Sequence, residues 1–385
     1  MNKIENLIKQ HCPDGVEFKK LGEVCEFRRG TTITAKDAVD GDVPVIAGGQ
    51  SPAYYHNTAN RTGETISVSS SGAYAGYVSY WTIPVFLSDS FSVNPNTELL
   101  LTKYVYYFLK NIQQQIHNSK KGSGVPHVHG SNLAKIIIPL PPIAVQSEIV
   151  SILDKFTELE AELEAELEAR KKQYNYYREQ LLHSEETKSE LIPLGEIGEV
   201  RMCKRILKEQ TSDVGEIPFY KIGTFGKDPD AYISRELFDE YKSRYNYPKI
   251  GEVLISASGT IGRAVIFDGR DAYFQDSNIV WIENDEKQVL NKYLFYCYQI
   301  AKWEIAEGGT IQRLYNENLK KTKIPVPYPN DTKKSVEEQE RIVSLLDKFD
   351  TLTTSISEGL PAEIKMRRQQ YEYYREKLLT FAEMK

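Results

Sequence analysis

The sequence predicts an α+β protein: two mixed domains separated by an antiparallel coiled coil of two long helices, with pseudo-two-fold symmetry. Two observations support this. The chain is one unit written twice, and the best-matched part of each copy has coiled-coil spacing. The string IVSILDKF at 149–156 recurs as IVSLLDKF at 342–349, and QYNYYREQLL at 173–182 recurs as QYEYYREKLL at 370–379. A repeat of this length indicates two copies of one structural unit.

The repeat extends more weakly into the segments before each helical string. LGE at 21–23 recurs at 194–196, SG at 71–72 recurs at 258–259, and KY at 103–104 recurs at 292–293. We therefore divide the chain into a first mixed domain (1–142), a central helical segment (143–188), a second mixed domain (189–330) and a C-terminal helical segment (331–385). The loose match between the mixed domains suggests that they perform different versions of one task.

Within the mixed domains, short β-rich runs between turn residues predict strands at 43–46, 65–68 and 253–256. Length and aromatic-aliphatic spacing predict helices at 103–116 and 292–305. Runs that end in proline predict closing strands at 136–139 and 323–325.

The central helical segment has neither Pro nor Gly from 145 to 183, and its apolar stripe follows heptad spacing with one stutter at Leu167. Ile149, Ile152, Phe156, Leu159 and Leu163 step by 3, 4, 3 and 4 residues, which is typical of a coiled coil. A helix of about 38 residues would be about 57 Å long. The second copy shows a break at residues 359–361, which read GLP. Two such stripes most simply bury each other as an antiparallel pair.

Composition sets limits on function. The net charge is −6, but residues 141–190 alone carry 12 acidic and 6 basic side chains, so the mixed domains are near neutral. That balance permits nucleic-acid binding without arguing for it. The four cysteines lack CxxC spacing, so neither a disulfide framework nor a zinc site is indicated. No apolar run has membrane-spanning length and no signal peptide opens the chain, so we expect a cytoplasmic protein without a membrane partner.

Several strings in both halves resemble the specificity subunits of type I restriction–modification systems, and the resemblance covers essentially the whole chain. They are IPLPP at 138–142, QSEIV at 146–150, LDKF at 153–156, RKKQYNYYR at 170–178, EQERIV at 338–343, LDKF at 346–349, GLPAEI at 359–364 and QYEYYR at 370–375. The tandem Leu-Glu-Ala repeats in the first helix resemble the subgroup whose central helix carries a short tandem repeat.

The resemblance implies that each mixed domain is a target-recognition domain reading one half of a split double-stranded DNA site. It also implies that the helices dock two methyltransferase subunits, together with restriction and translocase subunits. S-adenosylmethionine, ATP and magnesium would then belong to the partners, and this chain would hold no cofactor, no metal and no catalytic residue. The sequence agrees, since it contains no Asn-Pro-Pro-Tyr-like motif, glycine-rich S-adenosylmethionine loop or Walker A pattern.

Candidate DNA contacts lie in loops at matching places in the two halves, where Lys, Arg and polar side chains suit phosphates and base edges. In the first domain they are Arg28, Arg29, Gln50, Tyr54, Tyr74, Lys120, Lys121, His127 and His129. In the second domain they are Arg201, Lys204, Arg205, Lys227, Arg263, Gln312, Arg313 and Tyr315.

Each group of candidates has a structural alternative. The basic pairs would also suit solvated surface, the Ser-Gly loops at 71–72 and 258–259 would suit tight hairpins, and tyrosine in a loop such as Tyr54 is often partial core. His127 and His129 have metal-ligand spacing, but no third ligand is evident.

The strings YNYYR and YEYYR provide the candidates for subunit binding, because adjacent tyrosines cannot all face one helix partner. Tyr176 and Tyr373 fall outside the coil stripe, and we expect them, with Arg178 and Arg375, to contact partner subunits. The alternative is a wide helix face packed on the chain's own domains.

Two other functions compete with DNA reading. Asp230, Glu240 and Lys242 fit the loose pattern of a magnesium-dependent nuclease, although such residues are common in a chain that is 26% charged. A coiled-coil adaptor without a DNA role is the second. Cleavage of plasmid DNA by the purified chain with magnesium would favour the nuclease.

Overall fold

A computed structural model describes residues 2–120, 126–305 and 313–384. The chain forms two compact units. Unit 1 comprises Met1–Ala165 and Ala362–Lys385, and unit 2 comprises Glu166–Pro361. Each unit therefore combines one mixed domain with parts of both helical segments. None of the described helices is both long enough and apolar enough to cross a membrane.

The helices of the described residues differ widely in length, from single turns in the mixed domains to forty residues in α6. In chain order they are α1 (Asn2–His11), α2 (Leu21–Val24), α3 (Thr102–Asn111), α4 (Gln113–Asn118), α5 (Gly130–Leu133), α6 (Ile143–Leu182), α7 (Leu194–Ile197), α8 (Arg235–Arg244), α9 (Asn291–Tyr298), α10 (Asn316–Lys321), α11 (Thr332–Thr354) and α12 (Gly359–Leu378). Short 3₁₀ helices cover Glu185–Thr187 and Lys208–Gln210.

The strands fall into two matching sets, one in each unit. In unit 1 they are β1 (Glu17–Lys20), β2 (Cys25–Arg29), β3 (Val43–Ile46), β4 (Tyr54–His56), β5 (Thr65–Ser69), β6 (Val78–Trp81), β7 (Phe86–Leu87), β8 (Ser90–Pro95) and β9 (Ile137–Leu140). In unit 2 they are β10 (Glu190–Pro193), β11 (Gly198–Arg201), β12 (Ile217–Tyr220), β13 (Tyr232–Ile233), β14 (Val253–Ser256), β15 (Ala264–Ile266), β16 (Tyr273–Phe274), β17 (Ile279–Asn284) and β18 (Lys323–Val326).

Both units have the same sheet topology over the described residues. A four-stranded antiparallel sheet has the order β2-β8-β5-β6 in unit 1 and β11-β17-β14-β15 in unit 2. A smaller sheet has the order β4-β3-β7 or β13-β12-β16, and its last pair is parallel. A two-stranded ribbon, β1·β9 or β10·β18, stands next to the helical segment in sequence. The duplication predicted from weak sequence matches is thus confirmed at the level of strand order.

The core of each mixed domain forms where a helix covers the four-stranded sheet. Every residue of β5 and of β14 is buried, because both faces of these central strands are covered. In unit 1, Tyr104 and Val105 of α3 pack with Ile66 and Val93 of the sheet. In unit 2, α9 contributes buried residues in the same way. The strands predicted at 43–46, 65–68 and 253–256 are confirmed as β3, β5 and β14.

The helix predictions need two corrections. The helix predicted at 103–116 divides into α3 and α4, because Ile112 leaves helical geometry with φ −100° and ψ 19°. The helix predicted at 292–305 ends at Tyr298, after which the chain turns and the Trp303 ring packs on Tyr298 with centroids 5.6 Å apart. In both cases the apolar spacing would allow a longer helix, but packing against other parts of the domain ends the helix earlier.

The second helical segment is two helices rather than one. The chain leaves helical conformation after Thr354 and re-enters at Gly359, which has φ +70°. A Cβ at Gly359 would lie 2.4 Å from the Thr351 carbonyl oxygen, so this turn requires glycine. The break predicted at residues 359–361 therefore falls just ahead of that string.

Aromatic residues of the repeated strings pack the helices together within each unit. In unit 1, Phe156 of α6 stacks on Tyr374 of α12, with centroids 5.6 Å apart, and Arg368 pairs with Glu160 and Glu164. In unit 2, the equivalent Phe349 of α11 stacks on Tyr174 and Tyr177 of α6, at 6.1 and 5.7 Å. The LDKF string of one copy thus meets the YxYYR string of the other copy in both units.

A buried glutamine at the start of each helical segment fixes that segment to its mixed domain. The fully buried Gln146 side chain donates to the carbonyls of Leu99 (2.8 Å) and Pro141 (2.7 Å) and accepts from the Leu101 amide (2.9 Å). In unit 2, Gln339 donates to the Gln288 carbonyl and accepts from the Leu290 amide, both at 2.9 Å. These backbone groups lie outside the hydrogen-bonding pattern of the helices and sheets. The amide groups of the two glutamines therefore serve as their hydrogen-bond partners.

The aspartate of each LDKF string supplies a second connection. Asp154 accepts hydrogen bonds from the Tyr107 hydroxyl (2.5 Å) and the Lys103 ammonium (2.8 Å) of α3. In unit 2, Asp347 accepts from the Tyr296 hydroxyl and pairs with Lys292 at 3.1 Å. The strings that carried the family resemblance therefore have a structural role that both copies share.

Candidate nucleic-acid interface

In unit 1, the loops that carry the predicted DNA contacts converge on the start of β8. Arg29 at the end of β2 lies opposite Phe91 in the ladder, and Ser69 at the end of β5 lies opposite Ser90. The Ser69 hydroxyl donates to the carbonyls of Ala47 and Gly49, both at 3.2 Å, which brings the loop after β3 to the same edge. The sheet thus gathers loops that are far apart in sequence.

The Ser-Gly loop of unit 1 pairs with the segment that follows residue 125. Ser71 forms an antiparallel bridge with His127, and the Val128 amide donates to the Ser70 carbonyl at 2.8 Å. The Ser71 hydroxyl also donates to the Asp89 carboxylate. This pairing supports the structural interpretation of the Ser-Gly string, and it positions His127 and His129 beside it, with their rings stacked 6.0 Å apart.

The basic candidates of unit 1 differ in whether their charged groups already contact another side chain. Arg28 pairs with Glu26 at 2.7 Å, and the hydrogen bond between the two side chains lowers the pKa of Glu26. Both side chains are more than half exposed, so DNA phosphates can compete for Arg28 at little cost. Arg29 is exposed at the strand end, and the Lys120 ammonium contacts His117 Nε2 at 2.7 Å. Lys121 lies outside the described residues.

Among the polar and aromatic candidates of unit 1, Tyr74 and Gln50 are exposed and Tyr54 is not. Tyr74 is 48% exposed in the turn after β5, and Gln50 is exposed in the turn after β3. Tyr54 is half-buried, and its hydroxyl donates to the Ile33 carbonyl at 2.6 Å. Tyr54 therefore holds the segment after β2 in place, which favours the partial-core alternative.

Unit 2 builds the same arrangement around residues 275–279. Ser256 at the end of β14 lies opposite Ile279, and the Ala257 amide donates to the Asn278 carbonyl at 2.7 Å. The Leu314 amide donates to the Ala257 carbonyl at 2.8 Å, and Ser258 forms a bridge with Arg313. The loop after β12 joins through the Gln275 side chain, which accepts from the Ile222 amide at 3.0 Å.

The basic residues at the end of β11 and just after it are partly neutralised. Arg201 pairs with Glu283 at 2.8 Å, and Lys249 and Arg201 together lower the pKa of the Glu283 carboxyl. Arg205 pairs with Asp276 at 3.0 Å. Lys204 is exposed, and its ammonium lies 5.2 Å from the centroid of the Tyr245 ring.

The remaining candidates of unit 2 divide into supporting and exposed residues. Arg263 is half-buried and donates to the Phe225 carbonyl at 2.8 Å, so it supports the loop after β12. Lys227 and Arg313 are exposed, and Tyr315 is 56% exposed. Gln312 lies outside the described residues.

On the helices, the structure separates the exposed tyrosines from their neighbouring arginines. Tyr176 is 61% and Tyr373 is 59% exposed, as expected of interface residues. Arg178 donates to Gln299 and Asn175 and lies 5.1 Å from the centroid of the Tyr174 ring.

Arg375 follows the same pattern in unit 1, where it donates to Asn111 at 3.2 Å and lies 4.9 Å from the centroid of the Tyr371 ring. Both arginines thus bind the end of a helix in their own unit.

The three nuclease candidates are spread over three different ion pairs. Asp230 pairs with Lys221 at 2.9 Å, Glu240 with Arg244 at 2.7 Å, and Lys242 with Asp271 at 3.4 Å. Over the part of the chain that the structure describes, no group of three or more His, Cys, Asp or Glu residues is placed to hold a metal ion. The geometry therefore gives the nuclease interpretation no support.

Arg61 is a residue that sequence reasoning missed. It lies between β4 and β5, and its guanidinium donates to the carbonyls of both Arg28 and Arg29. Counted from the repeated Gly-Glu pairs at 63–64 and 251–252, its counterpart in the second half is Lys249, whose ammonium pairs with Glu283 at 2.8 Å. A lone arginine in a loop carries no sequence signal of such a role.

Comparison with known proteins identifies the class. The family model described as type I restriction modification DNA specificity domain matches residues 13–169 and 186–366. A putative type I restriction enzyme specificity subunit of Haemophilus influenzae is 49% identical over 388 residues, covering 95% of this chain and 96% of that protein. The EcoR124I/EcoR124II specificity subunit of Escherichia coli is 31% identical over 414 residues, covering 99% and 97%.

Solved structures agree on the fold. The S subunit of a type I restriction–modification system from M. genitalium aligns with a TM-score of 0.57 at 17% identity, over 95% of this chain and 96% of that one. A chain from a study of complex assembly and conformational transition of the type I R-M system aligns with a TM-score of 0.58 at 17% identity, over 95% and 98%.

This chain belongs to the type I restriction–modification specificity family, with two specificity domains in one polypeptide. The resemblance stated from the sequence is confirmed, as is the α+β class with a duplicated domain. Its relatives are specificity subunits and not catalytic ones, which confirms the expectation of a sequence-recognition subunit.

Proposed function

We propose that this chain reads a bipartite double-stranded DNA target, one half-site per mixed domain, on behalf of a restriction–modification complex in the cytoplasm. The observation that carries the proposal is the repeated convergence of loops on the first residues of β8 and β17. The same backbone frame presents different exposed side chains in the two units, which suits two domains that recognise different bases.

Exposed cations without a carboxylate partner among the described residues are the strongest candidates for DNA contact. Arg29 in unit 1 and Lys204, Lys227 and Arg313 in unit 2 meet this description. Such side chains donate to phosphate oxygens, and an arginine can also donate two hydrogen bonds to a guanine edge.

Three other candidate arginines are already paired with carboxylates. Arg28 and Arg205 are exposed enough to exchange a carboxylate for a phosphate. Arg201 shares Glu283 with Lys249, so we assign it to the frame of the second domain.

The exposed tyrosines of the helices provide the proposed sites for two methyltransferase subunits. Tyr176 and Tyr373 occupy equivalent places in the repeat and are the most exposed tyrosines of their strings. Restriction and translocase subunits would join through that assembly. S-adenosylmethionine, ATP and magnesium would be bound by those partners.

Domain exchange tests the proposal. Replacing residues 191–324 with the equivalent segment of another specificity subunit should change one half of the methylated sequence and leave the other half as before. Methylation-sensitive sequencing of the host DNA provides the measurement, and the reciprocal exchange in the first domain provides the control. A change in both halves after one exchange would contradict the assignment of one half-site to each domain.

A further inference from the structure

Arg61 is built into the edge of the sheet from which Arg28 and Arg29 project. Its backbone forms a bridge with Val85, with hydrogen bonds of 3.0 Å in both directions. From there, Nη2 donates to the carbonyls of Arg28 (3.0 Å) and Arg29 (3.1 Å), and Nε donates to the Ser92 hydroxyl (2.9 Å). One guanidinium therefore spans the last two residues of β2 and the neighbouring strand β8.

The charge of Arg61 is left unneutralised by direct contacts. Every hydrogen bond that its guanidinium donates within the described residues ends on an uncharged oxygen, including the Asn60 carbonyl at 2.8 Å. Burial and the nearby Arg28 charge lower the pKa of Arg61. A cation held here adds to the positive potential at the end of β2, where a phosphate would approach Arg28 and Arg29.

The chain that leaves β2 is confined on its other side as well. Gly30 follows Arg29, and a Cβ there would lie 2.3 Å from the Leu87 carbonyl oxygen. The Gly30 amide donates to the Ser90 carbonyl at 2.8 Å. The direction of the chain at Arg28 and Arg29 is thus fixed between Arg61 and β8.

The described part of the second domain has no arginine in the role of Arg61. In the described part of unit 2, no arginine side chain donates to a carbonyl of β11, and the Arg201 guanidinium itself pairs with Glu283. The connection between β13 and β14 carries α8 instead. Any effect of Arg61 on DNA reading should therefore be confined to one half-site.

We propose that Arg61 is a positioning residue for DNA recognition by the first domain, acting through Arg28 and Arg29. This inference rests on the proposed function, because it assumes that those two arginines contact DNA. It predicts that loss of the hydrogen bonds from the Arg61 guanidinium weakens contacts at one half-site, although Arg61 acts on the backbone of β2 and not on the DNA itself.

The test uses the complex of this chain with its modification subunits and duplexes carrying the methylated sequence. We expect Arg61→Met to weaken binding roughly tenfold to hundredfold, the range for losing charged hydrogen bonds. Arg61→Lys keeps the charge without the fork and should recover only part of the affinity. Duplexes altered in one half-site should show reduced discrimination at the first half-site and full discrimination at the second. Arg270→Lys, an exposed arginine of unit 2, is the matched control.

A double-mutant cycle separates positioning from simple destabilisation. If Arg61 acts through Arg28 and Arg29, adding Arg61→Met to Arg28→Ala/Arg29→Ala should weaken binding little further. Independent, additive losses, or equal losses at both half-sites, would overturn the positioning role while leaving the DNA contacts intact. No loss with Arg28→Ala/Arg29→Ala alone would instead overturn the assignment of those contacts, and the role of Arg61 with it. The melting temperature of each variant shows whether the domain is still folded.

Discussion

The connection between the first domain and α6 includes a buried uncharged side chain, and Gln146→Leu tests what that side chain contributes. Leucine has nearly the volume of glutamine, so the substitution removes hydrogen bonds without leaving a large cavity. Three backbone groups lose their partner: the Leu99 and Pro141 carbonyls and the Leu101 amide. Gln146 itself is fully buried, so water cannot readily replace its amide group.

The expected size follows from these three groups. A buried polar group left without a partner costs about 1–3 kcal/mol. Taking the lower bound for each gives a loss of about 3 kcal/mol in the free energy of unfolding. For a unit of this size, each kcal/mol lowers the melting temperature by about 2–4 °C, so the transition of unit 1 should fall by about 6–12 °C.

Differential scanning calorimetry of the full chain measures this effect, with two companion variants. Gln339→Leu removes the equivalent side chain of unit 2 and should lower the transition of that unit instead. Gln180→Leu changes an exposed glutamine of α6 and should leave both transitions in place. A Gln146→Leu protein that melted within about 2 °C of the parent would refute the claim that this side chain fixes the helix to the domain.

Three further predictions concern assembly, spacing and pH. The complex should contain two methyltransferase subunits per copy of this chain by native mass spectrometry, and Tyr176→Ala with Tyr373→Ala should weaken that assembly more than DNA binding. A one-to-one stoichiometry would contradict this. Deleting residues 162–165, one Glu-Leu-Glu-Ala unit, should shorten α6 by about 6 Å and rotate its far end by about 40°. Methylome mapping should then show an unread spacer changed by one or two base pairs between unchanged half-sites, and an unchanged spacer would exclude a ruler function. Glu252 is 5% exposed and burial raises the pKa of its carboxyl, so its ionisation destabilises the fold increasingly as the pH rises above its ordinary value of 4.5. Glu252→Gln should therefore raise the melting temperature at pH 7 but not at pH 4, and an equal effect at both would contradict the assignment.

The elements that the sequence predicted well are those in which local pattern and tertiary role coincide. The long helix α6 has an apolar stripe that matches its burial. The pattern of β5 also predicts a strand, although its polar residues Thr65, Ser67 and Ser69 are buried with the apolar ones. The division of the second helical segment was also visible, because glycine and proline stand together at 359–361. By contrast, α4 and the end of α9 depend on packing between segments distant in sequence, which spacing along the chain does not report.

The site was harder to predict from the sequence, because the type of a side chain does not show in which direction its hydrogen-bond donors point. Arg178 and Arg375 were expected to contact other subunits, yet each donates to the end of a helix in its own unit. The neighbouring Tyr176 and Tyr373 remain exposed. The sequence strings predict a region for subunit binding, and side-chain geometry separates its half-buried arginines from its exposed tyrosines.

We expect specificity to be determined at positions where the two copies differ on a shared backbone frame. Where the copies share a residue, as in Asp154 and Asp347, that residue makes the same structural contact in each unit. Where they differ on a shared backbone frame, the chemistry presented to a ligand differs. His127 and Arg313 occupy equivalent places, each bridged to the serine of a Ser-Gly loop. An arginine offers a fixed fork of donors that suits guanine, whereas a neutral histidine offers one donor and one acceptor. The same fold can therefore read two different half-sites, and exchanging His127 and Arg313 is the smallest change that should alter a base preference without altering the frame.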